Sequence, residues 1–238
     1  FFIKLRNKEE NEMKKIIGIV SKPKTGNIWN KMYIADELRY LVVKNGGLAI
    51  SILPTEETMK FNDNDLGDIK ELSFNEKEDL NELIELCDGI ILQGGMTSSA
   101  YEVECAKKAI ELNKPMLGIC AGFNNILRAL GGDVIVDKTN KHNYLDKNYR
   151  HSIKIEKETE LYKLIEKDSL QVNSIHSMVA TVEEVEKYAK VSSCSNDGLV
   201  ESFELPSKKF IMAIKWHPEL MLDEAYVDKI FKKFIDNC

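Results

Sequence analysis

Residues 115–124 read Pro115-Met116-Leu117-Gly118-Ile119-Cys120-Ala121-Gly122-Phe123-Asn124, and this stretch decides the fold. A short apolar run ends at Ile119, a cysteine occupies the turn, and a helix-forming run starts at once. That is the pattern of a strand–nucleophile–helix elbow. Gly118 and Gly122 remove side chains where strand and helix must approach closely. A helix N-terminus aims free N–H groups and partial positive charge at the sulfur, which favours the reactive thiolate. The same amides can hold a developing oxyanion. Taken alone, the pattern also fits a small buried cysteine in an ordinary crossover.

Upstream of the elbow, strand and helix signals alternate. Lys15 to Ser21 is a short apolar strand, and Asn30 to Asn45 carries Ile34, Leu38, Leu41 and Val42 on one helical face before Gly46-Gly47. Leu48 to Leu53 reads as a second strand, Glu76 to Cys87 as a helix, and Gly89 to Leu92 as a buried strand running into Gly94-Gly95. Ser99 to Leu112 and Ala121 to Leu130 are helical, with Met116 to Ile119 a strand between them. Continuous apolar strands separated by helices predict an α/β fold: a mostly parallel central sheet covered on both faces.

After Asp133 the texture changes. Ile153 to Ile155, Leu170 to Ile175, Ala189 to Ser193, Leu199 to Phe203 and Phe210 to Trp216 are strand-like, with few helices between. They predict a small antiparallel extension and the last central strand. Asp223 to Asp236 reads as a terminal amphipathic helix, with Ala225, Ile230, Phe231 and Phe234 on its core face. No repeat or linker interrupts the pattern, so residues 14–238 are expected to form a single domain. Residues 1–13 read as a disordered or mis-assigned extension, with Met13 a plausible initiator.

The final strand delivers His217-Pro218-Glu219. A cysteine nucleophile needs an imidazole base, and the base needs a carboxylate to fix its tautomer. Residues two apart on an extended segment project to the same side, so His217 and Glu219 can both face a sulfur on a neighbouring strand. Gly94-Gly95, at the end of another buried strand, can turn an N–H toward the same place. With the Ala121 amide, Gly95 would complete an oxyanion hole.

The bulk numbers exclude several classes. The net charge is −6 with both signs interspersed, whereas a nucleic-acid binder needs a basic stripe. The lysine pairs Lys14-Lys15 and Lys232-Lys233 read as solvated element ends. Five cysteines without a C-x-x-C pair indicate free thiols in a reducing compartment, here the cytoplasm. No apolar run reaches the ~20 residues of a membrane span. His142, His151, His176 and His217 do not fall at zinc-ligand spacings, so neither metal nor organic cofactor is expected. His142 and His151 read as polar loop residues, and Cys87, Cys105, Cys194 and Cys238 receive no role.

The segments GIVSKP, DGIILQGG, KPMLGICAG followed by ALGG, VNSIHS, CSNDGLVESFE and AIKWHPE run in order along nearly the whole chain. Together they resemble the class I glutamine amidotransferases, and within them the γ-glutamyl-γ-aminobutyrate hydrolase branch of γ-glutamyl hydrolase-like cysteine peptidases. The resemblance implies a flavodoxin-like fold and a Cys120–His217–Glu219 triad. It implies hydrolysis of the γ-glutamyl amide bond of small γ-glutamyl compounds through a glutamyl thioester. Gly94, Asn124, His176 and Ser177 would line the substrate site, with Ser177 on the glutamyl group and His176 chiefly shaping the wall. Several positions depart from the branch. Ala121 stands where arginine is common, and Met96 to Ala100 leads almost directly into a helix. The Thr55–Phe74 stretch is long, and His176-Ser177-Met178 looks more like a glutaminase segment. Two alternatives stay open: a glutaminase delivering ammonia to a separate synthetase, and a non-catalytic binding module. A homodimer is compatible with either enzymatic reading.

Overall fold

The computed structural model describes residues 13–56, 71–95, 99–139, 141–146 and 148–238. The N-terminal extension, most of the Thr55–Phe74 stretch and residues 96–98 after Gly-Gly lie outside the described residues.

From the N-terminus, β1 (Ile16–Val20) leads into a hairpin of β2 (Lys22–Lys24) and β3 (Lys31–Tyr33), then α1 (Asp36–Lys44) and β4 (Leu48–Ile52). Next come α2 (Phe74–Glu85), β5 (Gly89–Leu92), α3 (Ala100–Glu111), β6 (Met116–Ile119) and α4 (Ala121–Ala129). The second part comprises β7 (Ile135–Val136), β8 (His151–Ile155), α5 (Glu160–Ile165), β9 (Ser169–Val172), β10 (Met178–Val179) and α6 (Val182–Glu186). It closes with β11 (Lys190–Ser195), β12 (Val200–Glu204), β13 (Ile211–Ile214), a 3-10 turn (Pro218–Leu220) and α7 (Ala225–Asp236).

Among the described residues, nine strands form one sheet in the order β4-β1-β5-β6-β13-β12-β11-β8-β9. The first five run parallel, and the antiparallel strands begin where β12 pairs with β13. This is the mostly parallel sheet with an antiparallel extension that the sequence predicts. Alternation across the pleat sorts the core into two layers. Ile17, Ile19, Ile91, Leu117, Ile119, Met212 and Ile214 pack with α1, α5 and α7. Val20, Ile90, Leu92, Met116, Ile211 and Ala213 pack with α2, α3 and α4 on the other face. Fully burying each large side chain contributes about 1.5–3 kcal/mol.

Three differences from the sequence reading have physical causes. First, α1 begins at Asp36, not near Asn30, because residues 31–33 pair with 22–24 as a hairpin. Gln93 pins the base of that hairpin: its Nε2 donates to Val20 O and Tyr33 O at 2.9 Å each, and its Oε1 accepts from Ala35 N at 2.9 Å. Second, α5 and α6 are short helices, each started by a threonine hydroxyl (Thr159, Thr181) that accepts from a backbone amide of the first turn. Third, Ala225 is exposed at the start of α7, and Tyr226 and Val227 face the core instead. The helix at 74–85 starts with a capping box between Ser73 and Glu76.

Candidate active site

The parallel pairing of β6 and β13 sets Ile119 opposite Ile214, and Cys120 N donates to Ile214 O at 2.8 Å. The two strands therefore end together, and the residues just beyond them meet at the carboxyl edge of the sheet. Ligands bind at this edge in open α/β sheets.

Cys120 is the N-cap of α4 and has φ 53°, ψ −101°. A left-handed φ on a side chain this size costs about 1–3 kcal/mol and persists only where the surroundings enforce it. The enforcement comes from close backbone packing. A Cβ on Gly122 would lie 2.0 Å from Leu92 O, and one on Gly118 would meet the Gly122 backbone at 2.9 Å. The sharp elbow leaves the sulfur at the N-terminus of α4, 3.7 Å from Ile175 O. The first amides of a helix, here starting at Ala121, have no intrahelical partner.

His217 follows β13, and its Nδ1 lies 2.7 Å from Glu219 Oε1. Glu219 is carried on the 3-10 turn opened by Pro218 and is buried. Its carboxylate accepts from Nδ1–H, which leaves Nε2 to exchange a proton with the sulfur. Burial works against the thiolate. The His217 imidazolium beside it, with help from Lys215, outweighs that cost and holds the Cys120 thiol below its ordinary pKa. Burial likewise opposes the imidazolium, yet Glu219 and the Cys120 thiolate raise His217 well above its usual value. Cysteine, histidine and glutamate are thus brought together from stretches about a hundred residues apart.

The glycines divide their work. A Cβ on Gly94 would stand 2.5 Å from His217 Cε1 and 3.3 Å from Cys120 Cβ, so Gly94 is the residue against the Cys–His pair. Gly95 instead faces the aliphatic stem of Lys22. Lys22 itself forms a fully buried ion pair with Glu102, which also accepts from Asn125 Nδ2 at 3.1 Å.

Two residues that sequence reasoning passed over support the site from beneath. Asn173 Oδ1 accepts from His217 N, and its Nδ2 donates to His217 O, both at 2.8 Å. Lys215 is completely buried beside Phe123, its Nζ 4.6 Å from the ring centroid, and donates to Asn124 Oδ1 at 2.5 Å. Burial lowers the Lys215 pKa to about 8, against the pull of Cys120 and Glu201. Asn124 is therefore turned toward Lys215. Neither residue bears a motif signal beyond its place in VNSIHS or AIKWHPE.

Ser177 is exposed, and its carbonyl accepts from Asp137 N at 2.7 Å. His176 is buried, with Nδ1 3.2 Å from Met178 O and Nε2 3.5 Å from Glu201 Oε1. His142 and His151, read as loop residues from sequence, also belong to this region. His142 is buried, His151 begins β8, and both approach Glu201. Their sequence neighbourhood is polar, but the tertiary fold folds that segment against β12. A separate cavity of about 250 Å³, lined by residues that include Glu204, Lys208 and Lys209, sits at the opposite edge of the sheet, where β13 begins.

A cysteine on such an elbow, beside a histidine and glutamate from the adjoining strand, on a mostly parallel sheet, defines a class I glutamine amidotransferase. The chain belongs to the peptidase C26 family within that superfamily, whose profile matches residues 15–219. The family places it among hydrolases acting on C–N bonds. Among relatives, the chain is 26% identical to the glutamine amidotransferase-like protein YvdE of Lactococcus lactis, over 92% of this chain and 97% of that protein. It is 27% identical to the CTP synthase of Borreliella burgdorferi, over 67% of this chain and 37% of that protein. Among solved structures, the glutaminase domain of Trypanosoma brucei CTPS, with bound acivicin, superposes with a TM-score of 0.63. That match has 17% identity and covers 94% of both chains. Among the described residues, no helix is long and apolar enough to cross a membrane.

Proposed function

We propose that the chain is a cysteine-nucleophile hydrolase of the γ-glutamyl amide bond in small γ-glutamyl compounds. The observation that supports this most directly is the 2.7 Å contact between His217 and Glu219 beside a Cys120 whose thiolate is favoured. In this reading the Cys120 thiolate attacks the γ-carbonyl carbon, and a C–S bond forms. The carbonyl electrons move onto oxygen, held by the amides of Ala121 and Gly95. Each such donor is worth roughly 10²–10³ in rate. His217 gives its proton to the leaving nitrogen, the C–N bond breaks, and a glutamyl thioester remains. His217 then takes a proton from water, which attacks the thioester and releases glutamate and the thiolate. Gly94, Asn124, His176 and Ser177 would surround the glutamyl group. Gly94 lies closest to the reacting pair, and Asn124 acts through Lys215. The five free cysteines support a reducing compartment, and we assign the cytoplasm.

A second reading is favoured by the relatives. The chain spans 37% of the Borreliella burgdorferi CTP synthase, and a solved neighbour is a glutaminase domain. A free glutaminase of this kind would pass ammonia to a synthetase on another chain. A hydrolysis panel of glutamine, γ-glutamyl-γ-aminobutyrate, γ-glutamyl peptides and polyglutamates, read by glutamate release, separates the two. The hydrolase cleaves γ-glutamyl amines unaided, whereas the glutaminase prefers glutamine and responds to a partner. Cys120→Ala should abolish release while the circular dichroism spectrum is kept, and undiminished turnover by that variant would refute both.

A further inference from the structure

Three imidazoles converge on one carboxylate oxygen outside the Cys–His–Glu site. His142 Nδ1 lies 3.4 Å from Glu201 Oε1, His176 Nε2 3.5 Å, and His151 Nε2 3.7 Å. The ligand-type atoms of His142, His151 and Glu201 all lie within 4.8 Å of one another. His142 and Glu201 are almost wholly shielded from solvent, and the His151 side chain is 15% exposed.

Asp197 Oδ2 accepts from His142 Nε2 at 3.0 Å; against the cost of burial, hydrogen bonds to Glu201 and Asp197 raise the His142 pKa to about 9, so a cation taking Nδ1 must displace a proton there. Ser174 Oγ donates to His142 O at 2.9 Å and turns its lone pairs toward His142 Nδ1 at 3.5 Å and His176 Nε2 at 3.4 Å. His176 Nδ1 lies 3.2 Å from the Met178 carbonyl, and its Nε2 faces Glu201 Oε1 and Ser174 Oγ. His151 Nε2 and Glu201 Oε2 are buried without a hydrogen-bond partner. Buried polar atoms are rarely left so, and a carboxylate ringed by imidazoles calls for a positive centre beside it, a ring proton or a metal ion.

We propose that His142, His151 and Glu201 form a binding site for a divalent cation of the zinc type. Imidazole nitrogen and carboxylate oxygen suit such an ion. Bonds of about 2.0–2.1 Å place tetrahedral ligand atoms roughly 3.3–3.4 Å apart, close to the two observed His–Glu separations. The fourth position falls to a water. Asp197, itself gripped by the Ser195 hydroxyl at 2.5 Å, is the carboxylate behind a metal-bound histidine that fixes tautomer and ring orientation. The cation would tie residues 141–146 to β8 and β12. Because Glu201 O accepts from Lys215 N at 2.8 Å, the site lies one strand from β13. Its task is structural and independent of the bond cleaved at Cys120.

The test uses the purified full chain stripped with chelator and titrated with Zn²⁺ alone by calorimetry and thermal unfolding, and with Co²⁺ by visible absorption. One equivalent should bind, the melting temperature should rise, and Co²⁺ should give tetrahedral d–d bands. His151→Ala, at the partly exposed ligand, should weaken binding by about tenfold or more. Should His142→Ala or Glu201→Gln fail to fold, His151→Ala and His151→Gln still decide the matter. Cys120→Ser should retain the full stoichiometry, which excludes adventitious capture by the Cys–His pair. No stoichiometric binding, unchanged affinity in His151→Ala, or loss of binding in Cys120→Ser would each overturn the site.

Discussion

The side-chain amide of Asn173 grips the backbone of His217 on both polar groups, accepting from its N–H and donating to its C=O at 2.8 Å each. His217 therefore leaves β13 in a fixed direction, with its ring between Glu219 and Cys120. Asn173→Ala leaves two buried backbone groups unpaired, at a cost of about 1–3 kcal/mol each. Misplacing the imidazole by an ångström is worth up to ~10² in rate. We expect kcat to fall by about that factor with KM little changed, measured by glutamate release, and the melting temperature to drop.

Cys120 is set apart from the other thiols. Burial pushes Cys87 and Cys194 up to about 11, Cys238 to about 12, and Cys105 well above the usual range. Cys120 is moved the other way. Limited iodoacetamide at pH 7 should therefore modify Cys120 first, as read by peptide mass spectrometry. Its thiolate is retained below the ordinary thiol pKa of about 8.5 and is lost only as pH falls through the lowered value. In His217→Ala the midpoint of alkylation against pH should move upward.

Lys215 trades stability for reactivity. Its folded pKa of about 8 lies below the ordinary 10.5, so between those values the unfolded chain binds the extra proton. Stability should rise with pH across that window. Lys215→Met removes the buried ammonium, and the rise of stability with pH across that window should flatten. The same change withdraws a positive charge from Cys120, and the alkylation midpoint should shift upward. Chemical denaturation and alkylation profiles of one preparation test both halves.

Gly94 and Gly122 should fail differently when replaced by alanine. The new Cβ of Gly94→Ala meets the His217 ring, a movable side chain, whereas that of Gly122→Ala meets the Leu92 carbonyl at 2.0 Å. Gly94→Ala should fold but lose the depressed pKa of Cys120. Gly122→Ala should be found mainly in the insoluble fraction.

The Lys22–Glu102 pair is the most deeply buried ion pair among the described residues. Breaking it from one side leaves an uncompensated charge, which costs about 3–5 kcal/mol. Lys22→Met should lose that much in urea denaturation. Adding Glu102→Gln should recover most of it, since the double variant buries no charge.

The sequence by itself determined the layers of this protein and the chemistry-bearing residues. Continuously apolar strands divided by helices dictate a covered parallel sheet, and a cysteine between Ile119 and Ala121, flanked by Gly118 and Gly122, dictates an elbow. Those signals are local, so the chain carries them in its text. Only the tertiary structure decided what converges. The pairing of β6 with β13 sets Cys120 beside His217, Asn173 reaches His217 across 44 residues, and Lys215 is driven beneath α4. The gathering of His142, His151 and His176 on Glu201 was invisible for the same reason. Ligand spacing along a chain reports only ligands held by one turn or one helix. A cluster assembled from two loops and two strands has no linear signature, because sheet register, not sequence distance, sets its geometry.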